Sequence, residues 1–168
     1  MSNTAARLWF GLAVGLSACS ALAQGPGVPS DALIRLQRTA CYGRCPIHTV
    51  TIDGHGTVTY AGERFVRVVG QRTAHIDRSK VASLLATAER IRFFHMRDAY
   101  RLIENPDGTV DVVFDRPTTF VSVTVNGRTK RIEDYVGAPA SLAEFEREID
   151  DAAGTKQWVL PRPRGSRY

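Results

Sequence analysis

Cys41, Cys45 and His48 place three reactive side chains within one short run, Cys41-Tyr42-Gly43-Arg44-Cys45-Pro46-Ile47-His48. Three chemistries are open to them. Oxidised, the two thiols close a small loop. Reduced and activated, they form a thiol redox pair. Deprotonated and joined by His48, they supply three soft ligands to a metal ion.

Spacing and context rank these readings. Thiol oxidoreductases place C-x-x-C at a helix N-terminus, where the helix lowers the thiol pKa. Here three residues separate the cysteines and Pro46 leads into an extended run. Arg44 favours a thiolate, but the helix contribution is missing. Structural zinc takes four ligands, and the remaining histidines, His55, His75 and His95, are scattered. A disulfide between Cys41 and Cys45 is the primary expectation, stapling a turn and natural in an oxidising compartment. Closing so short a loop constrains the unfolded chain by about 2 kcal/mol. The staple would present Tyr42 and Arg44 as a rigid binding rim, an aromatic face with a polar tip beside a fixed cation.

Other groups offer less. Asp98, Asp107, Asp111 and Asp115 surround an irregular stretch and suit acid/base chemistry or calcium, but Asp107-Gly108 reads first as turn chemistry. Phe93, Phe94 and Tyr100 either line a groove or pack at a helix end, and packing is the ordinary account. The chain carries no G-x-S-x-G, H-E-x-x-H, P-loop or dinucleotide glycine fingerprint. No catalytic residue and no cofactor is expected.

Alternating polarity then shows what must hold the staple. Ile34 and Leu36 share one face of a first strand, and His48, Val50 and Ile52 share one face of a second. Asp53-Gly54-His55-Gly56 reads as a hairpin into Thr57–Tyr60, followed by short strands over 65–69 and 72–76. Asp77 is a helix N-cap, and Val81, Leu84, Leu85, Ala88, Ile91 and Phe94 keep helical spacing over 78–94. Residues 98–109 read as a loop, and 110–114 and 118–125 as strands. Asn126-Gly127 is the strongest hairpin signal, returning through residues 128–132. Ser141 to Glu144 is a capping box opening a second helix with Leu142, Phe145 and Ile149 inward, and Trp158 is a closing anchor. The expected class is α+β, an antiparallel curved sheet with two helices packed on one face, in the order strands-helix-strands-helix.

The flanks point to export. Arg7 precedes the apolar run of residues 8–16, a signal-peptide pattern that falls short of the about 20 apolar residues of a transmembrane helix. Ala21-Leu22-Ala23 fits signal peptidase, giving a signal peptide over 1–23. Leu16-Ser17-Ala18-Cys19 resembles a lipobox, giving 1–18 and a lipid on Cys19. A linker over 24–31, one α+β domain over 32–160 and a basic flexible tail over 161–168 complete the division. The 168 residues carry 22 Lys+Arg against 17 Asp+Glu, interspersed rather than concentrated, which with export disfavours nucleic-acid binding. Membrane contact is expected only through a lipid on Cys19.

Taken together, Arg38, the Cys41–Pro46 element, Asp53-Gly54, Gly56, Val58–Tyr60, Gly62, Leu84, Phe93-Phe94 and Tyr100 resemble an uncharacterised bacterial family, domain-of-unknown-function family 6438, over residues 33–150. That resemblance implies an envelope protein or lipoprotein and supplies no activity; His48 stands where the family more often has an aromatic. The reading is an exported, periplasmic or membrane-anchored domain, non-enzymatic, that binds an envelope protein or surface polymer. Its alternatives are a thiol redox protein and a metal-binding module.

Overall fold

A strand buried on one face alternates apolar and polar residues, and five of the strands here carry that alternation into one core. The computed structural model describes residues 27–159. The export signal, Cys19 and the basic tail lie outside the described residues.

Four strands come first: β1 (Leu33–Arg38), β2 (Ile47–Asp53), β3 (Thr57–Arg64) and β4 (Gly70–His75). Helix α1 (Arg78–Arg90) and a 3-10 turn (Phe93–His95) follow. Then come β5 (Ala99–Arg101), β6 (Ile103–Glu104), β7 (Val110–Asp111), β8 (Thr119–Val125) and β9 (Arg128–Val136). Helix α2 (Ala140–Ala153) and a second 3-10 turn (Thr155–Gln157) close the described chain. Seven strands form one open sheet in the order β4-β3-β2-β1-β8-β9-β5, and β6 and β7 form a separate ribbon.

The core lies between one sheet face and the helices. Ile34, Leu36, Val50, Ile52, Val58, Val121, Val123 and Ile132 meet Val81 and Leu84 of α1 and Leu142, Phe145 and Ile149 of α2 in a single buried cluster. Trp158 stacks on the buried Tyr60 ring at 4.9 Å, and its carbonyl accepts the Val68 N–H. The Asn126-Gly127 hairpin has both residues at positive φ, 51° and 71°, as a two-residue turn of that type requires. Asp31 accepts both their N–H groups, so this end of the expected linker is tied to the sheet.

Five expectations need correction. The sheet is mixed, because β5 runs parallel to β9. Residues 65–69 are a bend, with Phe65 at φ 56°, because β3 already runs to Arg64. The strand expected over 110–114 shrinks to β7, which pairs with β6 inside the expected loop. Helix α1 stops at Arg90, since Arg92 turns left-handed and starts the 3-10 turn. The capping box does not form either: Pro139 takes the N-cap position of α2, and Ser141 falls inside the first turn without a capping bond.

Candidate functional site

The cysteine loop leaves the end of β1 and returns into β2. The Cys41 and Cys45 sulfurs lie at disulfide distance, with 5.7 Å between the Cα atoms. Cys45 is buried, anchoring one foot, while Tyr42 is 89% exposed. Gly43 N–H turns back onto Cys41 Sγ at 3.2 Å, which leaves the Tyr42 ring projecting. Arg44 extends over the Phe65 ring, 5.8 Å from its centroid, and Arg64 lies over the same ring at 5.1 Å. A guanidinium over an aromatic face is attracted by the ring quadrupole and keeps its N–H edge for a partner. Among the described residues neither arginine has a carboxylate partner.

His48 does not join the sulfurs. Its ring is buried, 5.8 Å from the Tyr60 ring, and Nε2 stands 4.0 Å from Asp150 Oδ1, too far for a hydrogen bond. Both ring nitrogens lack a hydrogen-bond partner. Among the described residues no three His, Cys, Asp or Glu side chains gather as metal ligands. His55, His75 and His95 are exposed and apart.

What His48 joins is a polar row that the sequence reading missed. In register across the sheet, Gly62 faces His48, His48 faces Arg38, Arg38 faces Thr119, and Thr119 faces Asp134. Cross-strand partners point to one face, here the face covered by α2. Glu146 and Asp150, one helical turn apart, descend onto it. Arg38 Nη2 donates to Asp150 Oδ2 at 2.7 Å, and Nη1 reaches Thr119 Oγ1 at 3.2 Å and Glu146 Oε2 at 3.5 Å. Thr155 Oγ1 donates to Asp150 Oδ1 at 2.8 Å. Gly62 ends the row because a Cβ there would meet Val68 O at 2.2 Å and the Tyr60 hydroxyl at 2.5 Å.

Burial divides the charges. It pushes Glu146 up to about 8, with Asp134 and Asp150 repelling its charge and Arg38 only partly opposing. Asp134 is likewise raised by burial, so burial works against the charged form of both carboxyls. Burial also works against Asp150, but the Arg38 guanidinium and the Thr155 hydroxyl, both hydrogen-bonded to it, hold it down to about 2. Arg38 stays charged against its burial because Asp150 and Glu146 face it. The row sets the Arg38–Asp150 ion pair beside two buried carboxyls whose charge burial disfavours, and the ion pair fastens α2 to the sheet.

The remaining candidates are placed by ordinary structure. Asp107 accepts from the Thr109 N–H and hydroxyl, and Asp111 from Asn105 Nδ2. Asp98 pairs with Lys130, and Asp115 sits at φ 63°. Phe93 is buried edge-on to Phe145. Tyr100 is half-buried and lines an open groove of about 550 Å³ beside the β6–β7 ribbon; the groove's cations, Arg97 and Arg101, are neutralised by Glu104 and Glu133.

A family model described as Domain of unknown function (DUF6438) matches residues 32–153. The chain belongs to that family. The match runs from the start of β1 to the end of α2, so the DUF6438 domain contains both the staple and the polar row. No curated protein matches the chain.

Proposed function

We propose that this DUF6438 protein is an exported, non-enzymatic binding module of the bacterial cell envelope, with the Cys41–Cys45 loop as the rim that meets a partner. The observation that carries this reading is the 89% exposure of Tyr42 inside a loop closed by two sulfurs at disulfide distance. An aromatic ring fixed in advance loses little conformational entropy on contact, which is what a recognition residue needs. Arg44, held against Phe65, sets a cation beside it. Export, through cleavage after Ala23 or lipidation of Cys19, supplies the oxidising compartment in which such a loop stays closed.

The test replaces Tyr42 and Arg44 with Ala in the full chain and compares what co-purifies from solubilised envelopes. The expected result is loss of a partner in both variants with the fold intact. An unchanged set of partners sinks the rim. Intact mass with and without reduction and alkylation separates the processing routes: a lipid on Cys19 and a chain starting at Gln24 differ in mass, and the thiol pair reports its own oxidation.

A further inference from the structure

The strand order brings several exposed apolar side chains to one end of the sheet. β1 ends there and β2 begins, β3 ends and β4 begins, β8 begins and β9 ends. The loops emerging at that end are the staple, the 65–69 bend and the 112–118 strap, with the β6–β7 ribbon beyond Arg101. Tyr42 at 89%, Phe114 at 76%, Val69 at 64% and Val112 at 57% exposure all lie on these segments. Apolar side chains grouped in this way mark a contact surface.

Charge divides this end in two. The staple and the 63–69 segment carry Arg44, Arg64 and Arg67 against the single carboxylate Glu63. Residues 103–118 carry Glu104, Asp107, Asp111 and Asp115 against the single cation Arg116, and with Glu104 paired to Arg97 the ribbon and strap remain acidic through the three aspartates. The halves meet where Thr39 N–H donates to Thr118 O and Thr118 N–H to Thr39 Oγ1, both at 3.0 Å. Each half therefore has its own exposed apolar residues and the charge opposite to the other's.

A surface of this kind is complementary to itself. We propose that a second copy of this chain covers this end of the sheet, in a two-fold dimer that lays the basic staple half of each copy on the acidic ribbon half of the other. An isologous interface requires that every patch find its complement on the same surface, and an axis passing near the Thr39–Thr118 clip meets that requirement. The aliphatic valines suit a protein surface, where they are buried, better than a hydrated polymer. The assignment rests on the staple being a contact surface and names what it contacts.

Sedimentation velocity on the full chain, over a concentration series into the sub-millimolar range, tests it. The expected species has twice the chain mass, and its dissociation constant rises at least tenfold in about 1 M salt, where the screening length is about 3 Å. Two charge-reversed proteins sharpen the test: Arg44→Glu with Arg67→Glu, and Asp111→Lys with Asp115→Lys. Each alone should run as a monomer, and an equimolar mixture should restore the dimer, because each reversed half then meets an opposite one. A wild-type chain that stays monomeric overturns the proposal, as does a dimer indifferent to salt or a mixture that stays monomeric. The salt series needs no variant, so misfolding of either reversed protein leaves it decisive. A monomeric chain whose Tyr42 and Arg44 variants still lose an envelope partner removes the second copy alone; a monomeric chain with unchanged co-purification removes the rim itself.

Discussion

The staple and the polar row lie at the same end of the sheet, Cys45 only three residues before His48 in the chain, and are held by different means. Tyr42 and Arg44 sit in an exposed loop whose shape comes from two sulfurs at bonding distance. His48, Arg38, Thr119 and Asp134 sit on the covered face in places that strand register dictates, with α2 lowering Glu146 and Asp150 onto them. A crosslink fixes a short stretch of chain and leaves its side chains to solvent. Register fixes side chains that are distant in sequence and takes them out of solvent. The first arrangement leaves its groups open to the proposed partner, and the second fastens elements to each other.

Breaking the row should have the largest effect. Arg38→Met leaves Asp150 and the Glu146–Asp134 pair buried without their cation, and removing one partner of such a cluster costs about 3–5 kcal/mol. Urea denaturation checks it, and a loss below about 1 kcal/mol would mean that α2 is held by apolar packing alone.

The row also predicts a pH dependence. A carboxyl whose pKa rises on folding holds its proton in the folded state between the two values, so stability falls as pH climbs through that interval. For Glu146 the interval runs from 4.5 to about 8. Asp150 has the opposite sign: lowered from 3.8 to about 2, its contribution is present above 3.8 and is lost as pH falls toward 2. Glu146→Gln should flatten the alkaline limb, an effect on the order of a few kcal/mol across it, and leave the acid limb in place. Denaturation midpoints from pH 2 to 9 report both, and an unchanged alkaline slope would remove Glu146 as its source.

Opening the staple should cost less. Cys41→Ser with Cys45→Ser releases a loop of four-residue separation, worth about 2 kcal/mol in denaturant. Buried amides of β1 and β2 should keep their slow hydrogen exchange, because Arg38 still holds the row. Loss of that protection would show that crosslink and register act as one unit.

The smallest effect belongs to Tyr42→Ala. A side chain this exposed should change stability by less than about 0.5 kcal/mol, while its partner contact is lost. A stability change above that would place Tyr42 in the fold rather than on the rim.

The two regions were unequally legible in the sequence. The staple was readable because Cys, Gly and Pro announce a turn locally. The row was encoded by parity: Ile34 and Leu36 point inward, and two positions on the same parity reaches Arg38. Ile132 leads in the same way to Asp134, Val121 back to Thr119, and Leu142 by one helical turn to Glu146. Charged residues at strand ends read as solvated, so the parity was dropped where it became informative. Only the pairing of β1 with β8, more than eighty residues on, shows that these groups meet. The parallel β5 was hidden because a three-residue strand carries too few side chains to show a period.

The Trp158–Tyr60 stack bears on the order in which the molecule can be built. Tyr60 is made early and Trp158 nearly a hundred residues later, yet the Trp158 ring stacks on Tyr60 and its carbonyl takes the Val68 N–H. A chain emerging from its N-terminus keeps this part of the core open to water until residue 158 arrives. Partly made chains therefore lack the carbonyl that pins the bend carrying Phe65 and the arginines around it, and the proposed rim takes its final shape only when that residue docks.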